Sequence, residues 1–288
     1  MRWHMKIIHT IKQMRIWHEE ERLKGKRIAF VPTMGYLHEG HLSLVQVAKQ
    51  DNDSVVMSIF VNPLQFGPSE DYGAYPRDIK RDTQLAEEAG VAALFLPEVL
   101  EMYPYYPQLT TIEVQEVSEV LCGASRPGHF TGVTTIVAKL FNIVRPDTAY
   151  FGQKDYQQVR VIKQMVQDLN MPLEIISVPI KREKDGLAMS SRNTYLSEEE
   201  RKEAICLSEA LCICRDNHDK GEKNAENLIR YMVQRINKEP SAVIDYIEIC
   251  DAETLKPLSY VQRQAVVALA VKIGRTRLID NIIIGGRA

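Results

Sequence analysis

No apolar run in this 288-residue chain approaches the roughly 18 residues that a membrane-spanning helix needs. Neither sign of charge is in excess: 36 Lys and Arg stand against 38 Asp and Glu, a formal net charge of -2. A nucleic-acid binder needs a basic footprint to displace counterions from phosphates, so that class is set aside. The first residues, Met1 to Trp17, mix Ile and Met with Lys, Arg and His. They lack the unbroken apolar core of a secretory signal, and a cytoplasmic location is expected. Cysteine is sparse and odd in number, with Cys122, Cys206, Cys212, Cys214 and Cys250. Neither a disulfide framework nor paired CxxC zinc spacing results, which leaves free thiols in a reducing compartment. The familiar phosphate motifs GxxxxGKS/T and GxGxxG are also missing.

What is present is alternation. Arg27 to Val31 is a short apolar run, Pro32 to Gly40 a loop, and His41 to Gln50 a helical stretch. Ser54 to Val61 is β-branched and continuous, as in a strand buried on both faces. Helix and strand signals then recur through Asp78 to Ala89, Val91 to Leu96, Thr131 to Val144, Thr148 to Phe151, Tyr156 to Leu169 and Leu173 to Val178. This order predicts a Rossmann-like α/β domain over 1-180, with a parallel sheet covered on both faces. Beyond the charged linker Lys181 to Asp185, helices over Ser197 to Cys214 and Asn224 to Asn237 precede strands over Ile244 to Cys250, Ala265 to Ile273 and Leu278 to Ile284. A smaller α+β domain over 181-288 is expected, placed as a lid.

In an open parallel sheet, ligands bind beyond the carboxyl ends of the strands. The loop in that position reads Met34-Gly35-Tyr36-Leu37-His38-Glu39-Gly40-His41. Gly35 and Gly40 allow backbone to approach a ligand, and a helix opening near His41 would aim unpaired N–H groups at an anion. His38 and His41 add donors suited to charge developing in phosphoryl or nucleotidyl transfer. A helical HExxH zinc site fails on spacing, because the second His follows after three residues rather than four. Partial metal ligation remains open, although no third ligand is evident nearby. So does the plainer arrangement of one capping and one packed ring.

The stretch Phe30 to Gly35 continuing through His41 to Val45 closely resembles the pantoate–β-alanine ligase family, within the HxGH nucleotidylyltransferase superfamily. Further blocks match in order: Phe60 to Phe66, Arg126 to Phe130, Phe151 to Gln158, Asp185 to Asn193 and Arg277 to Asn281. The resemblance implies that ATP and pantoate give pantoyl adenylate and pyrophosphate, after which β-alanine displaces AMP. It implies ATP as substrate, Mg²⁺ arriving with it, a homodimer, and no nucleic-acid or membrane partner.

By the same resemblance, Met34 to His41 cradle ATP, and His41 with His38 stabilises charge at the α-phosphate and leaving group. Gln65 and Gln158 correspond to the family's pantoate-binding pair. Neutral amides suit a substrate whose carboxylate must stay nucleophilic, since a Lys would pair with it. Gly152, Gln153, Lys154 and Asp155 lie at a second strand-to-helix junction. There Lys154 can neutralise triphosphate charge, and Asp155 can cap the helix or bind ribose or solvated Mg²⁺. Met189-Ser190-Ser191-Arg192 resembles the superfamily's KMSKS-like signature, two hydroxyls and a guanidinium for phosphates. Equally, Ser190, Ser191 and Asn193 are ordinary turn formers. Lys181 corresponds to a position that touches adenine through its backbone. Two rivals remain at this level: a nucleotidylyltransferase that stops after transfer, and a nucleotide-sensing module without turnover.

Overall fold

A computed structural model describes residues 4–68, 70–105 and 107–286. The chain divides into two compact units. One comprises Met1–Gln115, Arg126–Gln153 and Gln158–Pro179, and the other Glu116–Ser125, Lys154–Gln157 and Ile180–Ala288. The second unit thus takes two segments, beginning at Glu116 and Lys154, from the N-terminal side of residue 180, where the sequence reading drew its single cut.

In the first unit, strands β1 (Lys6–Ile8), β2 (Ile28–Thr33), β3 (Ser54–Ile59), β4 (Ala93–Phe95), β5 (Thr148–Gly152) and β6 (Glu174–Val178) form, among the described residues, a six-stranded sheet. Its order is β1-β4-β3-β2-β5-β6, every pairing parallel. Helices α1 (Ile11–Leu23), α2 (Glu39–Asp51), α3 (Ile79–Ala89) and the short α4 (Val99–Met102) come first in chain order. After α5 (Cys122–Ser125), which belongs to the second unit, come α6 (His129–Val144) and α7 (Tyr156–Asp168). All six residues of β3 are buried, as its unbroken apolar run requires. Period-2 alternation divides the faces of β2. Ala29 and Val31 pack with Leu44, Val45 and Ala48 of α2, while Phe30 meets Phe141 of α6 edge-on.

The strand order reverses between β2 and β5, which is where a doubly wound sheet opens its ligand crevice. Proline helps to open it. The carbonyls of Arg27 and Thr33 bond toward β3, and that of Ile28 bonds toward β5 through Asp147 N–H. Even-numbered residues of β2 therefore present their backbone groups to β5. Pro32, which has no N–H, falls in that set, and the β2–β5 pairing stops at Phe30. The sequence reading ended the strand at Val31; pairing with β3 alone carries it to Thr33.

β1 and α1 were not foreseen in the mixed N-terminal residues. A signal for α1 was nevertheless there: Thr10 and Gln13 form a reciprocal capping box. Glu21 of α1 is buried, and Lys24, Lys26 and the Ser54 hydroxyl all donate to it at 2.7 Å. Burial alone would push its carboxyl up, but these donors outweigh burial and hold it down at about 2.

The second unit contains an antiparallel sheet of β7 (Ala242–Asp251), β8 (Ala265–Ile273) and β9 (Thr276–Ile284). On one face lie α9 (Cys206–Asp219) and α10 (Ala225–Ile236), packed against Val267, Leu269, Val271 and Leu278. The other face packs Val266, Ala268 and Cys250 against Leu121 and Leu255. The single helix expected over Ser197 to Cys214 is two, α8 (Glu198–Glu203) and α9, separated by a tightened turn at Ala204 and Ile205. That turn sets Cys206, Leu207, Ala210, Leu211 and Cys214 into the core. All five cysteines are free thiols, and burial pushes Cys206, Cys214 and Cys250 up to about 12. No helix among the described residues is long and apolar enough to cross a membrane.

Candidate active site

The loop leaving β2 is built by backbone strain and a buried acid. Gly35 has φ +86°, and a Cβ there would lie 2.8 Å from Ile59 Cγ2 and 3.0 Å from Asp82 Oδ2. Close approach and a left-handed backbone together demand glycine. Tyr36 follows at φ +50°, an unusual conformation for a side-chain-bearing residue. The carboxylate of Asp82 compensates, accepting from the N–H of Tyr36 at 2.6 Å and of Leu37 at 2.7 Å. Asp82 projects from the first turn of α3 and is fully buried. Burial pushes its carboxyl up, and the two N–H donors only partly oppose this.

His38 and His41 then start α2 by capping each other's backbone. Gly40 N–H donates to His38 Nδ1 at 3.1 Å, and His38 N–H donates to His41 Nδ1 at 3.3 Å. This is a capping box with imidazoles in place of hydroxyl and carboxylate. It corrects the expectation of open first-turn amides: Gly40 N–H is taken by a ring, and His41 N–H by His38 C=O at 2.8 Å. In exchange, both Nδ1 atoms are acceptors. Each neutral ring therefore carries its proton on Nε2, a tautomer assigned from the hydrogen bonds. The rings lie 4.0 Å apart, centroid to centroid. Both are half-buried, and Glu39 beside them is exposed.

Gln65 joins this loop. It ends a 3-10 turn, Pro63–Gln65, and its Nε2 reaches Met34 Sδ at 3.1 Å while its Oε1 accepts from Asn62 Nδ2 at 3.2 Å. Asn62 is buried, donating also to Gly132 C=O at 3.1 Å and accepting from the Tyr103 hydroxyl at 2.7 Å. Gly132 of α6 is indispensable to this packing, because a Cβ there would sit 2.3 Å from Leu64 O. His129 Nδ1 donates to Gln65 C=O at 2.9 Å, and Arg126 holds Glu70 through two bonds of 2.6 Å. Gln158, the second expected pantoate residue, is half-buried in the first turn of α7.

The remaining expected residues fall in two places, at the end of β5 and in the second unit. Gly152 closes β5, where an added Cβ would meet open space. Gln153, Lys154 and Asp155 form a 3-10 turn, in which Gln153 and Lys154 are half-buried and Asp155 is exposed. Lys154 C=O accepts from Asn281 Nδ2 at 2.9 Å. A hairpin runs from Lys181 to Met189, whose N–H bonds Lys181 C=O at 3.0 Å. The side chain of Lys181 is exposed. At its end, Ser190 Oγ accepts from Arg192 N–H at 3.3 Å and caps a 3-10 turn over Ser191–Tyr195. Ser190 therefore has the turn-forming duty that its residue type suggests. Ser191 is buried and Arg192 half-buried.

The sequence assigns no role to Asn62, Arg126, His129 or Asn281, and offers Asp82 as a plausible Mg²⁺ neighbour only to set it aside as an acid on a helix. All but Asp82 stand in blocks quoted for the resemblance, but polar residues in strands, turns and helices carry no local sign of what they bind. Among the described residues, no three His, Cys, Asp or Glu side chains gather in a way that could hold a metal.

Comparison with known proteins bears on this arrangement. The family model described as pantoate-beta-alanine ligase matches residues 6–283. The pantothenate synthetase of Acetivibrio thermocellus is 57% identical over 280 residues, covering 97% of this chain and 99% of the relative. That of Moorella thermoacetica is 56% identical with the same coverage. Among solved structures, the pantothenate synthetase of Thermus thermophilus superposes with a TM-score of 0.92 at 46% identity, covering 96% of this chain and 99% of that one. A pantoate-beta-alanine ligase from Francisella tularensis, complexed with beta-gamma ATP and beta-alanine, superposes at 0.79 with 38% identity, covering 97% and 98%.

Proposed function

The chain belongs to the pantoate–β-alanine ligase family, and from that premise we propose how its residues carry the reaction. It is an acid–amine ligase that condenses (R)-pantoate with β-alanine by way of pantoyl adenylate, releasing pyrophosphate and AMP. Activation must come first, because a carboxylate is a poor electrophile toward an amine until it carries a good leaving group. The pantoate carboxylate attacks the α-phosphorus of ATP and expels pyrophosphate. The amine of β-alanine then attacks the acyl carbon and expels AMP.

The observation that carries the assignment is the reciprocal histidine cap at the carboxyl end of β2. It turns two Nδ1 lone pairs inward and leaves Nε2–H as the donor on each ring, fixed before substrate arrives. His41 and His38 stabilise charge growing on the α-phosphate and its leaving group. Met34 to His41, with Gly152 and Gln153, bind the nucleotide, and Gln65 and Gln158 bind pantoate. Lys154 and the Ser190-Ser191-Arg192 turn supply cations and hydroxyls to the phosphates. A Mg²⁺ arriving with ATP would neutralise charge on the phosphates, bound largely through their oxygens and water. The enzyme works in the cytoplasm as a homodimer.

The test is AMP formation from ATP with pantoate and β-alanine, each omitted in turn, together with ATP–pyrophosphate exchange. Exchange should require pantoate and proceed without β-alanine. Exchange that strictly needs β-alanine, or ADP as product, would overturn the mechanism.

A further inference from the structure

Strand β9 ends the fold with two adjacent polar residues, Asp280 and Asn281, each only 2% exposed. Burying such groups is unfavourable unless they are fully hydrogen-bonded, so their partners reveal what they are for. Neighbours along a strand point to opposite faces of the sheet. Asp280 shares its face with Leu278 and Ile284, the side packed by α9 and α10. Asn281 shares the other with Ile283, the side packed by Leu121 and Leu255.

Each residue meets one of the two phosphate-binding segments of the second unit. Asn281 Nδ2 donates to Lys154 C=O at 2.9 Å across 127 residues of sequence. The next residues of that segment are also pinned. Gln157 Nε2 donates to Val117 C=O at 2.9 Å and Val120 C=O at 2.6 Å, and the Tyr156 hydroxyl donates to Ala252 C=O at 2.7 Å. On the other face, the Asp280 carboxylate takes Arg182 in a two-pronged pair at 2.6 and 3.0 Å. Arg182 also donates to Gly186 C=O at 3.0 Å, closing the hairpin that delivers Ser190, Ser191 and Arg192.

We propose that Asn281 and Asp280 are positioning residues for adenylation: one strand, through its two faces, sets Lys154 and the Ser190–Arg192 turn in fixed relation to each other. This rests on the reading above that Lys154 and Arg192 engage the phosphates of ATP. A lysine acts as a mobile point charge on a flexible stem, so the place of its backbone decides where that charge can reach. Both grips depend on one register. A slip of one residue along β9 would exchange the faces and release both segments together.

A double-mutant cycle on pantoate-dependent ATP–pyrophosphate exchange tests this. Asn281→Ala should slow exchange about tenfold while leaving the KM for pantoate within about twofold. In a Lys154→Ala background it should then cause no further loss, because it acts through Lys154. A merely structural residue would instead multiply the two losses, and that result overturns the proposal, as does an Asn281→Ala enzyme of wild-type rate. Should Asn281→Ala fail to fold, Asn281→Leu keeps about the same side-chain shape, removes the donor without adding a charge and should behave in the same way. Asp280→Asn in an Arg192→Ala background gives the matching test on the other face. If Lys154→Ala alone exchanges at the wild-type rate, the reading of Lys154 falls, and the role of Asn281 falls with it. A crippled Lys154→Ala with multiplying losses removes only the positioning role.

Discussion

The rings of His38 and His41 cap the helix through Nδ1, while the chemistry proposed for them belongs to Nε2–H, so the two duties can be separated. In His41→Asn the amide oxygen can take the place of Nδ1 as acceptor for His38 N–H, while nothing replaces Nε2–H. Exchange should fall by about 10²–10³, the usual loss for a donor aimed at transition-state charge, with the melting temperature held. His41→Ala should show the same kinetic loss and also lose roughly 1 kcal/mol of stability from the missing cap. Full activity in His41→Asn would make the histidine structural only. Asp82 is a different case, because its hydrogen bonds go to the backbone N–H groups of Tyr36 and Leu37, with Arg81 beside it at 3.7 Å. Asp82→Asn leaves one of two N–H groups facing an amide donor, and the strained Tyr36 loses its compensation. The KM for ATP should rise about tenfold with the KM for pantoate unchanged, a loss in line with one charge-assisted hydrogen bond. Equal rises in both constants would mean that the loop is not the nucleotide's seat.

At the scale of elements, α1 and α6 each carry one residue whose replacement reports on its packing. The carboxyl of Glu21 is held at about 2, well below its ordinary value near 4.5. Its contribution to stability is complete above that ordinary value and is lost as pH falls toward 2. Glu21→Gln should therefore flatten the fall in urea-measured stability over that acid range, and an unchanged slope would count against the ion pairs. Gly132→Ala pushes a methyl into Leu64 O, so the turn carrying Gln65 must move. We expect a loss of about 2–4 kcal/mol and a raised KM for pantoate, as overpacking against backbone permits no cheap relief. Elements with strong periodicity were legible in the sequence: β3 from its unbroken apolar run, α3 from its Gly90 stop, β8 from its β-branched run between turns. The two-helix break at Ala204 was not, since both halves continue one amphipathic pattern and only packing separates them. β1 was hidden by its length, three residues with one buried side chain.

Over the whole molecule, a net charge of -2 confronts a polyanionic substrate. A protein without a basic excess cannot neutralise a triphosphate by its general field. In the function proposed above, local cations and a metal arriving with ATP do so. A chelator should abolish exchange and Mg²⁺ alone should restore it, whereas rescue confined to Zn²⁺ would return the histidines to a metal role. The site itself was half legible. Loops that announce themselves by glycine, histidine and serine were readable, among them Gly35, His38, His41 and the Ser190–Arg192 turn. The residues that hold those loops were not, because Asp82, Asp280 and Asn281 bond partners between 45 and 127 residues distant, and Asn62, close to Gln65 in sequence, is itself fixed by Tyr103 and Gly132 from 41 and 70 residues away. Such pairings appear only once the chain has folded.

Pro32 gives β2 a rung without a proton on the side of β5. Two neighbouring parallel strands tend to zip together as far as their amides allow, and here the zip has a stop built into the covalent chain. Pro32 has no N–H to give to β5, so that rung stays unpaired whatever else occupies the region. Replacing Pro32 with alanine would hand the sheet back its missing amide, and hydrogen exchange at that one new N–H would report whether the strands had begun to seal.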